Sequence, residues 1–144
     1  MELVASRTVR RPASDVFAFI ADASNNPSWQ SGMVSCRWTS PPPIAIGSRY
    51  EQVARFMGRP VVSTFVVVDL EPGRMIQLKT IDSTFPIEVR RSVEPIDDAS
   101  CAVSARITGG PEGWMRFLAP LMRRRAQRSV DADYDRLVEL LETK

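Results

Sequence analysis

Histidine is absent from this 144-residue chain, and with it go the usual general base and the commonest metal ligand. Ser-His-Asp and Cys-His arrangements are therefore impossible within it. Neither a Walker loop nor a GxGxxG string occurs, so the standard phosphate and dinucleotide cradles are missing too. Cysteine is scarce: Cys36 and Cys101 have no metal-ligand spacing and no small-scaffold context. Both are expected as free, buried thiols, with no zinc, no other metal and no cofactor. Met57, Met75, Met115 and Met122 read as adaptable core or lining residues, not as ligands. No run approaches the roughly 18 apolar residues of a membrane span, and the opening MELVASRTVRRP lacks an apolar signal core. The expectation is a cytoplasmic protein without an integral membrane segment. Neither sign of charge dominates: 19 basic against 17 acidic residues leave a net +2, which predicts no nucleic-acid partner.

What is present describes an ordinary globular composition, 44% hydrophobic and 25% charged, read as a single domain over 1–144 with one core. Proline and glycine fall at joints: Pro12, Pro27, Gly32, Pro41-Pro42-Pro43, Gly47, Gly58 with Pro60, Pro72-Gly73, Pro95 and Gly109-Gly110-Pro111. From Gly47 onward the joints recur about every 12 to 14 residues and enclose runs rich in Val, Ile, Thr, Phe and Tyr, the pattern of an antiparallel meander. Tyr50, Gln52, Ala54 and Phe56 share one parity, as do Ile76, Leu78 and Thr80, and as do Cys101, Val103, Ala105 and Ile107. VVSTFVVVDL, residues 61 to 70, is apolar at both parities, which fits a strand covered on both faces or one in the sheet's centre.

Two helical patterns break this rhythm. In PASDVFAFIAD, Pro12 suits the first helical position, Asp15 suits the first turn, and Val16, Phe17 and Ile20 form a buried stripe. The second pattern runs from about Glu112 to Glu142, with Trp114, Leu118, Leu121, Met122, Ala126, Val130, Tyr134, Leu137 and Leu141 along one face. Pro120 is expected to kink it or to split off its first turns. The order is strand, helix, short helical turn, six strands, long helix. A strongly bent sheet with one helix about 10 Å wide across its hollow leaves a gap between them.

The segments VRRPASDVFAFIAD, NNPSWQ, GSRYEQ, VVDLEPGRMIQL and YDRLVELLE, in this order and over nearly the whole chain, resemble the START-like (SRPBCC) superfamily, in particular its bacterial polyketide cyclase/dehydrase and lipid-transport branch. The resemblance implies an α+β helix-grip fold: a strongly bent seven-stranded antiparallel sheet around a long C-terminal helix, with two short helices between strands 1 and 2. It also implies a cavity whose one mouth lies at the turn after the first helix, where Trp29 closes it. The alternative is that Trp29 pins this turn to the sheet edge, its ring buried and its N–H at the surface.

By parity the polar groups facing inward are Tyr50, Gln52, Thr80 and Arg91, the last in step with Ile87, Val89 and Val93. An inward Arg91 could hold a carboxylate or polarise a ketone, whereas a β-bulge at Arg90-Arg91 turns both arginines outward. The candidate ligand-binding residues are Trp29, Tyr50, Gln52, Phe56, Leu78, Thr80, Val89, Trp114, Phe117 and Leu121. MRRRAQR, residues 122 to 128, is followed at once by acidic residues and reads as a solvated helix face. The first reading of function is a binder or carrier of a small hydrophobic molecule such as a lipid, polyketide or aromatic metabolite. The second is a cofactor-free cyclase or dehydratase, in which the resemblance assigns Tyr50 and Arg91 to orienting and protonating the substrate. The third is a partner-binding module that uses the outer sheet face. A monomer or a homodimer is compatible with all three.

Overall fold

A computed structural model describes residues 2–56, 58–109 and 119–144. β1 (Glu2–Val9) leads into α1 (Ala13–Ala21), a 3-10 helix (Ala23–Ser28), β2 (Met33–Trp38), β3 (Arg49–Phe56), β4 (Arg59–Glu71), β5 (Met75–Asp82), β6 (Ile87–Asp97), β7 (Ser100–Gly109) and α2 (Ala119–Glu142). One curled, wholly antiparallel sheet in the order β1-β7-β6-β5-β4-β3-β2 carries all seven strands. The helices between β1 and β2 therefore carry the chain from one edge of the sheet to the other.

The joints are built as their residues dictate. In Glu71-Pro72-Gly73-Arg74 the Arg74 N–H donates to the Glu71 carbonyl at 2.9 Å, with Gly73 at φ 81°. Proline followed by a left-handed glycine is the chemistry of a type II turn. Pro12 stands one residue earlier than expected, at the N-cap, with its carbonyl accepting from Asp15 N and Val16 N at 3.1 Å each. Val16, Phe17 and Ile20 form the buried stripe of α1.

Of the two readings of β4, the interior position holds, between β5 and β3, and cover on both faces does not. Ser63, Phe65 and Val67 point inward and are buried, while Val62 and Val68 are exposed. Polar residues occupy both parities, Ser63 inside and Thr64 outside, so the partner strand decides the faces: Phe65 pairs with Tyr50 across β3, and both turn into the hollow.

α2 closes the hollow with Tyr134, Leu137 and Leu141, all buried and spaced along one helix face. Each such burial contributes about 1.5–3 kcal/mol. Charged contacts set the position of the helix along β1: Arg7 Nε donates to Asp135 at 2.8 Å and Arg10 pairs with Glu142 at 3.2 Å. These pairs are partly exposed, and pairs of that kind add at most about 1 kcal/mol each. Gln127 adds a different contact, donating from Nε2 to the Val4 carbonyl at 2.8 Å and accepting the Val4 N–H on Oε1 at 3.3 Å. The helix pattern expected from Glu112 to Leu118 lies outside the described residues, and Pro120 stands in the first turn of α2 as described, from Ala119. Among the described residues no helix is long and apolar enough to cross a membrane.

Candidate functional site

Arg91 is the centre of the interior. β6 keeps regular register with both neighbours, Arg91 opposite Ile76 on β5 and opposite Ala105 on β7, and its irregularity with β7 waits until Pro95/Asp97. Parity therefore holds through Arg90-Arg91: Arg90 is exposed and Arg91 is 6% exposed. The bulge that would turn both arginines outward does not form.

Two groups define its immediate surroundings. Arg91 Nε donates to the Tyr134 hydroxyl at 3.1 Å, and its guanidinium carbon lies 5.4 Å from the centroid of the Trp29 ring. Trp29 in turn meets Tyr134 edge to face, 5.0 Å between centroids. Each member of this trio thus touches the other two. Arg91 has no ion pair among the described residues. Burial pulls its pKa down, the phenolic oxygens of Tyr134 and Tyr50 pull it up, and the balance lies above the usual arginine value. The interior therefore holds a cation with no carboxylate paired to it among the described residues.

Four buried polar atoms in this region and in the adjoining turn have no hydrogen-bond partner among the described residues: Arg91 Nη1, Trp29 Nε1, Asn26 Oδ1 and Gln30 Nε2. A buried donor or acceptor left unpaired costs about 1–3 kcal/mol. Three of the four belong to the 3-10 helix and the residues just after it, which α2 straps in place: Arg136 donates to the Trp29 carbonyl at 2.8 Å and Asp133 accepts the Ser31 N–H at 2.9 Å. Trp29 itself is 1% exposed. Its N–H is therefore not at the surface, and the ring roofs the guanidinium.

A file of aromatic rings runs from the sheet edge inward. Tyr50 stacks on Phe65 with centroids 5.0 Å apart and planes within 6°, and Trp38 meets Tyr50 at 5.2 Å and 66°. Burial pushes the Tyr50 phenol up, with Arg91 opposing. Cys36, also buried, has its thiol pushed up to about 11 by burial, against the Asn26 hydrogen bond and the Arg91 charge. It is a neutral thiol near pH 7, a poor nucleophile. Its sulfur contacts Gln52 Oε1 at 3.9 Å.

The expected lining is thus brought together in part. Trp29, Tyr50, Leu78 and Val89 are buried in one core, with Gln52 half-buried beside Cys36. Thr80 is buried but already occupied: its hydroxyl donates to the Ile87 carbonyl at 3.1 Å and accepts the Ile87 N–H at 2.9 Å. It joins β5 to β6 and has no hydrogen to spare for a ligand. Phe56, 41% exposed at the end of β3, packs on Phe85 away from the trio, and Leu121 is 62% exposed on α2. Neither lines the described interior. Trp114 and Phe117 lie outside the described residues. Sequence reasoning missed Tyr134, Trp38, Phe65 and Asn26 as site residues; Tyr134 carried the one usable signal, a hydroxyl on an otherwise apolar helix stripe.

A cleft of about 250 Å³ lies at the sheet's edge, lined by Asp22, Ser24, Trp38, Ile44 and Ser48 with Ser40, Pro41 and Pro42. Trp38 forms its inner wall, donating from Nε1 to Asp22 Oδ1 at 2.8 Å while its ring contacts Tyr50.

A family model described as polyketide cyclase / dehydrase and lipid transport matches residues 1–142. Solved structures share the fold at low identity. TTHA0849 from Thermus thermophilus superposes with a TM-score of 0.81 at 17% identity, covering 96% of this chain and 95% of its own. A START superfamily protein from Mycobacterium smegmatis gives 0.80 at 15%, covering 99% and 97%. The Zhui aromatase/cyclase from Streptomyces gives 0.76 at 13%, covering 99% and 93%. No curated protein matches the chain in sequence.

Proposed function

The chain belongs to the polyketide cyclase/dehydrase and lipid-transport family, and from that premise we propose that it binds a small, largely apolar molecule between the curled sheet and α2, as a carrier or sequestering protein. The observation that carries this reading is Arg91, buried as a cation with Nη1 unpaired beneath a tryptophan whose own N–H is unpaired. Buried polar groups are normally satisfied, and small-molecule sites combine apolar walls with a few convergent polar groups that the ligand completes. Leu78, Val89, Tyr50 and Phe65 supply such walls.

A second reading, a cofactor-free cyclase or dehydratase acting on a β-keto chain, draws on the same arginine, which can polarise a carbonyl. The direction of the Tyr50 pKa favours binding over this reading. A phenol pushed above its usual value is a weaker acid, further from the operating pH that a general acid needs. The test is a screen of lipids, polyketide-like compounds and aromatic acids, read by tryptophan emission and by native mass spectrometry of protein purified from its own source. A saturable emission change and a one-to-one complex, with the compound recovered unaltered, are expected. Recovery of a cyclised or dehydrated product would move the assignment to the enzyme, and absence of any saturable signal would remove the binder.

A further inference from the structure

We propose that the ligand's polar end is a carboxylate, received by Arg91 and Trp29, on an otherwise apolar body; this rests on the binding reading above. The first argument is charge. A guanidinium taken out of water costs several kcal/mol unless a counter-charge meets it, and Arg91 has no carboxylate partner among the described residues. The residues placed around it, Tyr134, Tyr50, Cys36 and Trp29, offer hydroxyls, a thiol and a ring face. None of these four is a carboxylate, and no described residue pairs with the guanidinium, so the entering molecule is the proposed source of the counter-charge.

The second argument is the count of hydrogen-bonding groups. Of the four unpaired buried polar atoms, three are donors, Arg91 Nη1, Trp29 Nε1 and Gln30 Nε2, and one is an acceptor, Asn26 Oδ1. An ammonium adds donors where donors are already in excess. An alcohol brings no charge, and an ester or ketone offers one good acceptor atom without charge. A carboxylate brings two acceptor oxygens and the missing charge together. The third argument is orientation. Tyr134 occupies Nε, whereas Nη1 is buried without a partner among the described residues and is free to donate to a ligand.

The experiment uses the full chain and matched head groups on fixed bodies: straight-chain acids of graded length and 2-naphthoic acid, each beside its primary alcohol and methyl ester, titrated calorimetrically. The acids are expected to bind about tenfold tighter than their matched alcohols and esters, or more, the effect of one set of charge-assisted hydrogen bonds. In Arg91→Met the ratio of affinities between each acid and its matched alcohol and ester is expected to fall to about one. Because the variant could fail to fold, the same ratio is also followed in the unaltered protein as pH falls. It should collapse as the acid becomes protonated, near a pH of about 4 to 5. Alcohols and esters that bind as well as the acids would overturn the carboxylate and leave the binder standing. Binding by no member of the panel would overturn both. High chloride that competes with the acids and stabilises the protein, but not Arg91→Met, would assign the position to an inorganic ion and likewise overturn the proposal.

Discussion

Removing one oxygen atom, in Tyr134→Phe, keeps the ring edge-on against Trp29 but takes away the acceptor of the Arg91 Nε–H. A hydrogen bond to a charged group contributes about 1.5–3 kcal/mol, and here its loss leaves a second guanidinium N–H unpaired beside Nη1. The expected cost is about 2 kcal/mol. For a chain of this size that lowers Tm by roughly 4–10 °C. Arg91→Met works in the opposite sense. It gives up the tyrosine bond and the cation–π contact, worth about 2 kcal/mol when desolvated. It also relieves the burial of an uncompensated charge, and apolar replacements of buried ionic groups range from neutral to stabilising by about 1–4 kcal/mol. The ligand-free variant should therefore be no less stable than the parent. In that background Tyr134→Phe should cost under about 0.5 kcal/mol, because nothing charged is left to orphan. Urea unfolding of the four proteins, followed by tryptophan emission, closes the cycle, with coupling of about 1.5 kcal/mol or more expected. Equal losses from Tyr134→Phe in both backgrounds, or an Arg91→Met variant destabilised by more than about 2 kcal/mol, would show that the cation is compensated after all.

Three further outcomes follow from particular groups. Cys36, with its thiol pushed up to about 11, should resist iodoacetamide from about pH 7 to 9 in the folded protein and react promptly in urea; fast alkylation in the folded protein would contradict its placement. Burial works to raise the Asp22 pKa, but the hydrogen bonds from Ser24 and Trp38 outweigh it and hold the carboxyl below its usual value. Its stabilising contribution is therefore fully present above the unfolded value of about 3.9 and is lost as pH falls through the lower folded value. Asp22→Asn should flatten that acid limb in denaturant titrations at graded pH, and an unchanged slope counts against it. Gly73→Ala, forced to hold φ near 81°, should cost about 1 kcal/mol in urea unfolding, and no loss would mean that the turn relaxes.

Legibility in the sequence followed how sharply polar and apolar residues alternate. In β6 the parity of Ile87, Val89, Arg91 and Val93 left Arg91 either inward or turned out by a bulge, and the regular register on both sides decides for inward. In β4 the alternation fails, since valine occupies both parities, and only pairing with β3 tells Phe65 from Val66. Phe56 and Leu121 were misjudged for a shared reason. Both sit near the ends of their described elements, where parity and helical phase continue but the facing surface does not. Thr80 shows a different limit: parity finds the direction of a side chain and not whether a neighbouring backbone has already claimed its hydroxyl. The trio of Trp29, Arg91 and Tyr134 joins residues from three distant segments, and no local pattern announces such a meeting.

The Gln127 amide does for β1 what an eighth strand would do. It offers Val4 one donor and one acceptor, as a neighbouring backbone would. An edge strand with free backbone groups recruits other strands, from another copy or another chain. Here the vacancy is filled by a side chain that cannot propagate, because its own far side is a helix and not a further edge. The helix that roofs the interior thus also acts as a stopper against sheet extension. Any opening that lifted this part of α2 away from β1 would uncover Val4 at the same moment, so self-association should rise with opening.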